Sequence, residues 1–135
     1  MAYYHVLFDR TIDLAFEAID IGPGYIARTN KSFFVVEVHT CYLDEVRAGE
    51  TVSVRFRILD HDDKRLHVFE EMLKDGAGTL AATSEVLLVH TDLSLRRVVP
   101  WGADVGARIA AARSRDARHG VPERAGRRIA IPRRT

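Results

Sequence analysis

Glu37 and His39 stand two residues apart within residues 32–43, a stretch rich in β-branched and aromatic side chains. On a strand, residues of one parity leave the same face, so this spacing sets a carboxylate beside an imidazole, the pairing that general acid–base chemistry needs. A subunit junction is one place for such a pair, and a solvated polar pair is the plainer reading. Cys41 follows on the same parity, as a small buried side chain or as a nucleophile. Tyr42 offers a hydroxyl to a ligand or a buried ring to the core. His67, in a second strand-like stretch, is either a ligand-facing or a structurally satisfied imidazole. Arg55 and Arg57 alternate with apolar residues, which gives a cationic face for phosphates or a solvated strand face.

Other chemistries lose support. The six histidines are scattered, with no HExxH, CxxC or paired spacing that would put two ligands on one helix face, so no metal is expected. Gly22-Pro23-Gly24 follows a helical pattern instead of opening one, and no GxSxG turn occurs, so neither a phosphate loop nor a serine nucleophile is indicated.

These side chains need a scaffold. Over residues 2–21, Tyr4, Leu7, Phe8, Ile12, Ala15, Phe16 and Ile19 recur at spacings of three and four, with Asp9, Asp13 and Glu17 on another face. That pattern predicts an amphipathic helix of about five turns. Gly22-Pro23-Gly24 stops it, and a short irregular connection is expected up to Lys31. In residues 32–43, Phe34, Val36, Val38, Thr40 and Tyr42 share one parity, and Phe33, Val35, Glu37, His39 and Cys41 the other. Residues 51–60 alternate strictly, with Val52, Val54, Phe56 and Ile58 against Ser53, Arg55 and Arg57, as a half-buried antiparallel strand does. Turns at 61–64 and 74–78 lead to strands over 65–73 and 79–92, making a meander. After Pro100-Trp101-Gly102, Asp104 is placed to cap a short helix in which Val105, Arg108, Ile109 and Ala112 share a side. The layout is α+β, a curled antiparallel sheet wrapped around one long N-terminal helix, and its unpaired edges favour self-association.

The 135 residues, 47% hydrophobic and 29% charged, suffice for one globular domain burying roughly 65–70% of its chain surface. A lone Cys41 cannot build a disulfide framework, and no apolar run approaches the roughly 20 residues of a membrane span. With no signal-peptide pattern at its start, a cytoplasmic protein is expected. The net charge of +1 hides two unlike parts. Residues 113–135 carry eight arginines against Asp116 and Glu123, hence +6; the 12 basic and 17 acidic residues of 1–112 leave the body at −5. This tail has no interleaved aromatics for stacking bases, which argues against nucleic acid as a partner. Its first half is expected to be poorly ordered, with 128–132 docking as a short strand or clip. A polyanion-binding tail is a separate reading.

Three segments carry a resemblance: Tyr3-Tyr4-His5-Val6-Leu7-Phe8-Asp9, the run from Val36 through Tyr42-Leu43-Asp44-Glu45-Val46-Arg47-Ala48-Gly49-Glu50, and Lys64-Arg65-Leu66-His67-Val68-Phe69. Together they resemble acyl-CoA thioesterases of the hotdog fold, within that superfamily the betainyl-CoA type encoded with carnitine catabolism. The terminal Gly126-Arg127-Arg128-Ile129-Ala130-Ile131-Pro132 extends the likeness to nearly the whole chain. It implies a hotdog domain over residues 1–112 with a basic tail over 113–135, acting as a homodimer or dimer of dimers. The implied reaction is hydrolysis of a short polar acyl-CoA to free acid and CoA, with no cofactor beyond the coenzyme A of the substrate. In such chemistry a carboxylate activates water or attacks, while amides at the helix start, near Tyr3, Tyr4 and His5, polarise the carbonyl. On this template Glu37 and His39 are the catalytic candidates, Tyr3, Tyr4, His5, Tyr42 and His67 meet the substrate, and Arg55 and Arg57 meet CoA phosphates. In that family a first strand and an acidic Asp-Tyr-Asn-Gly-His type loop precede the helix, whereas this sequence opens at Met1-Ala2-Tyr3-Tyr4. Either Met1 is internal to a longer protein, or this version lacks the strand and its acid. The second case leaves a non-catalytic acyl-CoA-binding dimer as the alternative function, with an exposed edge beside the missing strand.

Overall fold

The structure, a computed structural model, describes residues 2–76 and 78–133. Met1, Ala77 of the expected 74–78 turn and the last two residues of the basic tail lie outside them. Helix α1 spans Ala2–Ala18. Phe8, Ile12 and Phe16, one every four residues, form its buried stripe against the sheet. It ends where Asp20 turns left-handed at φ 60° and the Ile21 N–H reaches back to the Phe16 carbonyl at 2.9 Å. Gly22 is required at this corner, because a Cβ there would stand 2.8 Å from the Glu17 nitrogen.

The connection expected to be irregular is a second helix, α2, over Pro23–Thr29. Proline at the first helical position needs no N–H partner and pre-sets the backbone, so the residue read as a stop also acts as a start. Asn30, left-handed at φ 57°, closes α2. Strands β1 (Lys31–Tyr42), β2 (Val52–His61), β3 (Arg65–Lys74) and β4 (Thr79–Asp92) follow. They pair antiparallel in the order β1-β4-β3-β2, with the meander as expected. A short β5 (Arg97–Val98), which alternation did not reveal, pairs with the end of β4. Toward the helices the sheet buries Ile58, Leu66, Val68, Met72, Val86 and Leu88.

Strand β1 departs from strict alternation. Its register against β4 slips between Val35 and Glu37, a bulge that inserts one residue and exchanges the two parities. Phe33 and Val35 therefore share the helix-facing side with Val38, Thr40 and Tyr42, not with Glu37 and His39.

Helix α3 covers Ala103–Ala117, so it runs through the point where the basic tail begins, and 113–117 are helical rather than poorly ordered. Gly102, not Asp104, is its N-cap; Asp104 sits in the first turn, where its charge complements the helix dipole. Val105, Ile109 and Ala112 are buried as their spacing predicted, while Arg108 donates to the Ile19 carbonyl at 2.8 Å. The helix lies along β2: the Ile58 N–H donates to Asp116 Oδ2 at 2.8 Å, and Arg113 pairs with Asp60 at 3.2 Å. The edge expected to be open is thus partly covered. Residues 128–132 form neither strand nor clip, and Ile129 and Ile131 are exposed.

Polar groups also sit inside this core. His90 is fully buried, with Nδ1 2.8 Å from the Val99 carbonyl and Nε2 2.8 Å from the Tyr25 hydroxyl. Since a carbonyl only accepts, Nδ1 carries the hydrogen and Nε2 accepts from Tyr25. Burial above all holds this imidazole's pKa below its usual 6.5. The unfolded chain then takes up a proton that the native state refuses, so this contribution to stability is complete above pH 6.5 and is lost as the pH falls below it. Tyr25→Phe strands Nε2 and is expected to lower unfolding free energy by about 1–3 kcal/mol; urea unfolding at pH 7 measures it, and an unchanged midpoint would contradict the assignment.

Candidate active site

Tyr4, His5 and Tyr42 meet at the N-terminal end of α1. The Tyr4 and Tyr42 rings lie 5.5 Å apart, and the Tyr42 hydroxyl is 3.1 Å from His5 Nε2. The Val46 N–H donates to the Tyr4 hydroxyl at 2.9 Å, which ties the loop after β1 to the helix. Tyr3, Tyr4 and Leu7 line one side of a cavity of about 490 Å³; residues 46–50 of the loop and Met72 line the other. The first-turn amides of a helix have no partners within it, and they carry roughly half a positive charge. This end can therefore stabilise an oxyanion. Arg47 stands at the rim, largely exposed. It lies in the Val46-Arg47-Ala48-Gly49 turn, where no spacing in the sequence marks its charge as functional.

The remaining candidates sit elsewhere. Glu37, His39 and Cys41 leave the sheet face opposite α1, where His39 Nε2 is 3.4 Å from Cys41 Sγ. His67 is on that face too, 2.6 Å from Glu85 Oε2. Glu85 Oε1 in turn accepts from the Gly126 N–H at 2.8 Å, so the C-terminal segment crosses here. Arg57 is tied into structure by Glu71 at 2.6 Å and by the carbonyls of His119 and Gly120, with Arg55 exposed beside it. The sequence candidates thus split into two groups. Tyr3, Tyr4, His5 and Tyr42 gather at the helix start, and Glu37, His39, His67, Arg55 and Arg57 occupy the far face. Glu37 and His39 share this face, as their spacing predicts, but do not reach the helix start. Among the described residues no group of three or more His, Cys, Asp or Glu could hold a metal ion, and no helix is long and apolar enough to cross a membrane.

A third feature lies under α1. Glu70 of β3 is fully buried, and neither of its carboxyl oxygens has a hydrogen-bond partner among the described residues. Cross-strand pairing places Thr40, Ser84 and Glu70 in one row over β1, β4 and β3. Beside the row is a cavity of about 240 Å³, bordered also by His5, Phe8 and Asp9. Burial first, and the nearby Asp9 second, push the Glu70 carboxyl up to about 9. One signal was present in the sequence: Leu66, Val68, Glu70 and Met72 share a parity, so a charge sits in an otherwise apolar row.

The chain matches the family model described as thioesterase-like superfamily over residues 1–109. It is 34% identical to a betainyl-CoA thioesterase of Pseudomonas aeruginosa, covering 97% of this chain and 82% of that protein. It is 29% identical to an L-carnitine dehydrogenase/betainyl-CoA thioesterase of Rhizobium meliloti, covering 93% of this chain but 25% of that longer protein. Among solved structures, a hypothetical protein of Staphylococcus aureus in complex with CoA superposes with a TM-score of 0.89 at 30% identity, over 97% of this chain and 82% of the other. A DHNA-CoA thioesterase of the same organism shares the fold alone, with a TM-score of 0.77 at 12% identity over 90% of this chain and 83% of the other.

Proposed function

The chain belongs to the thioesterase-like superfamily, and from that premise we propose that it hydrolyses a short polar acyl-CoA of the betainyl-CoA kind to free acid and CoA. Its architecture is the hotdog arrangement, with the sheet curled around α1. The observation that carries the reading is the cavity at the start of α1, framed by Tyr3, Tyr4 and the loop after β1, with the His5–Tyr42 pair beside it. A thioester carbonyl placed against the first turn has its oxygen polarised by unpaired amides. Water oxygen then bonds to the carbonyl carbon, the C–S bond breaks, and the sulfur departs with a proton as the CoA thiol. Water is the co-reactant, so this chemistry calls for no cofactor. Arg47 at the cavity rim is positioned for the phosphates of CoA, the part that spacing had given to Arg55 and Arg57. Glu37 and His39, across the sheet, have no part in this reaction. The unpaired Cys41 suits a reducing cytoplasm.

The working unit in this reading is a homodimer. Strand β1 ends the sheet, and Phe34, Val35, Val36 and Val38 along it are each about half exposed. An apolar strand with an unpaired edge is a template for another strand, and a second copy of β1 fits it antiparallel. Release of CoA thiol from a panel of acyl-CoAs tests the function; tight binding without release would favour the non-catalytic alternative.

A further inference from the structure

Glu70 shares its surroundings with a second unpartnered group. Thr40 Oγ1, in the same cross-strand row, is also buried without a hydrogen-bond partner among the described residues. Folds seldom keep buried polar groups unpaired, because each loses its hydration without compensation. The adjoining space of about 240 Å³ has room for a small ligand group. Its walls include Phe8, Ile12, Val35 and Val38, and Asp9 adds a second carboxylate from the helix. Because His5 borders both this space and the Tyr42 cluster, an acyl group whose carbonyl sits at the first turn of α1 can extend into it.

The chemistry of these walls narrows the occupant. A neutral hydrocarbon suits the apolar side chains but leaves both carboxyl groups unanswered, and an anionic group meets repulsion from Asp9 and opposes the ionisation of Glu70. A primary ammonium needs three acceptors for its N–H groups. A methylated ammonium has no N–H, spreads its charge over methyl groups that suit apolar and aromatic walls, and gains from opposite charge nearby. We propose that the cavity is an acyl subsite for a quaternary ammonium group, with Glu70 and Asp9 as its specificity-determining residues. This rests on the thioesterase reading and adds the residues that read the acyl charge.

The test compares betainyl-CoA with 3,3-dimethylbutanoyl-CoA, which has the same shape with carbon in place of the charged nitrogen. Opposite charges about 8 Å apart at an effective dielectric of ~20 attract by the equivalent of roughly 30-fold. At about pH 9.5, where the Glu70 carboxyl held up at about 9 is ionised, the wild type is therefore expected to favour the charged thioester in kcat/KM by about that order and Glu70→Gln to remove most of the preference, which shrinks toward about pH 7 as the carboxyl keeps its proton. Asp9→Asn, at an exposed helix position, reads the same ratio and decides the matter if Glu70→Gln turns over neither thioester. A wild-type ratio near one, or a ratio unmoved in a variant that still hydrolyses the neutral thioester, overturns this inference and leaves the thioesterase reading standing. Hydrolysis of neither thioester by the wild type overturns that reading, and this one with it.

Discussion

Glu70→Gln is expected to stabilise the protein without substrate by about 3 kcal/mol at pH 7, an effect that grows with pH and vanishes near pH 4.5. The carboxyl has its ordinary value of 4.5 in the unfolded chain and is held up at about 9 in the native state, mainly by burial. Between those values the unfolded chain has released a proton that the native state keeps. Stability therefore falls as the pH rises, by about 1.4 kcal/mol per unit, while below pH 4.5 both states are protonated and the penalty is gone. Glutamine keeps the size and the neutral polarity of the protonated acid and has no such titration. Urea unfolding of both proteins at pH 4.5, 7 and 8.5 isolates the effect, because the opposing slope from His90 is common to both and cancels in the difference. Parallel stability curves would mean that Glu70 is not the buried, unpartnered acid described above. A stabilising change that also erases a charge preference is the expected signature of a residue kept for function at a cost in stability.

Phe34→Lys with Val36→Lys is expected to convert the dimer to a monomer and to reduce thioester turnover by on the order of 100-fold. Both residues are exposed on β1, and lysines along a sheet edge oppose strand addition through charge and solvation. The loss of activity follows from position. Val35 and Val38, on the same strand, wall the cavity under α1, so a strand that is no longer clamped by its neighbour leaves the acyl group loosely held. Sedimentation velocity gives the mass, and circular dichroism checks that the monomer is folded. A folded monomer with wild-type turnover, or a dimer that survives both lysines, would contradict the placement of the interface on β1.

Much of this architecture was legible in the sequence. The four-residue recurrence of Phe8, Ile12 and Phe16 fixed α1, and the alternation of Val52, Val54, Phe56 and Ile58 fixed β2, because each has a single apolar face and only one period accommodates it. Strand β1 has apolar residues on both parities, so alternation could not register a slipped residue. The bulge beside Val36 therefore sent Phe33 and Val35 to the helix side unannounced. Pro23 reads equally as a helix stop and a helix start, and the geometry of Gly22, pressed against Glu17, decides for the second. The arginines of 113–117 looked like solvated tail because a helix with one narrow buried stripe is polar on its remaining surface. At the site, the resemblance led to Tyr3, Tyr4, His5 and Tyr42. Two-residue spacing led to Glu37 and His39, since it establishes that two side chains share a face without saying which face meets the helix. Glu70 carries a readable signal of its own, a charge in the parity of Leu66, Val68 and Met72.

The most direct measurement is release of CoA thiol from betainyl-CoA and a few short acyl-CoAs, made on the 135-residue chain and on one lengthened by the codons upstream of Met1. The account predicts turnover of betainyl-CoA above the uncatalysed rate, reduced by His5→Ala at the helix start and indifferent to Glu37→Gln and His39→Ala on the far face. Binding of the thioesters without thiol release by either protein, or activity that disappears with Glu37 and His39 while ignoring His5, would contradict it.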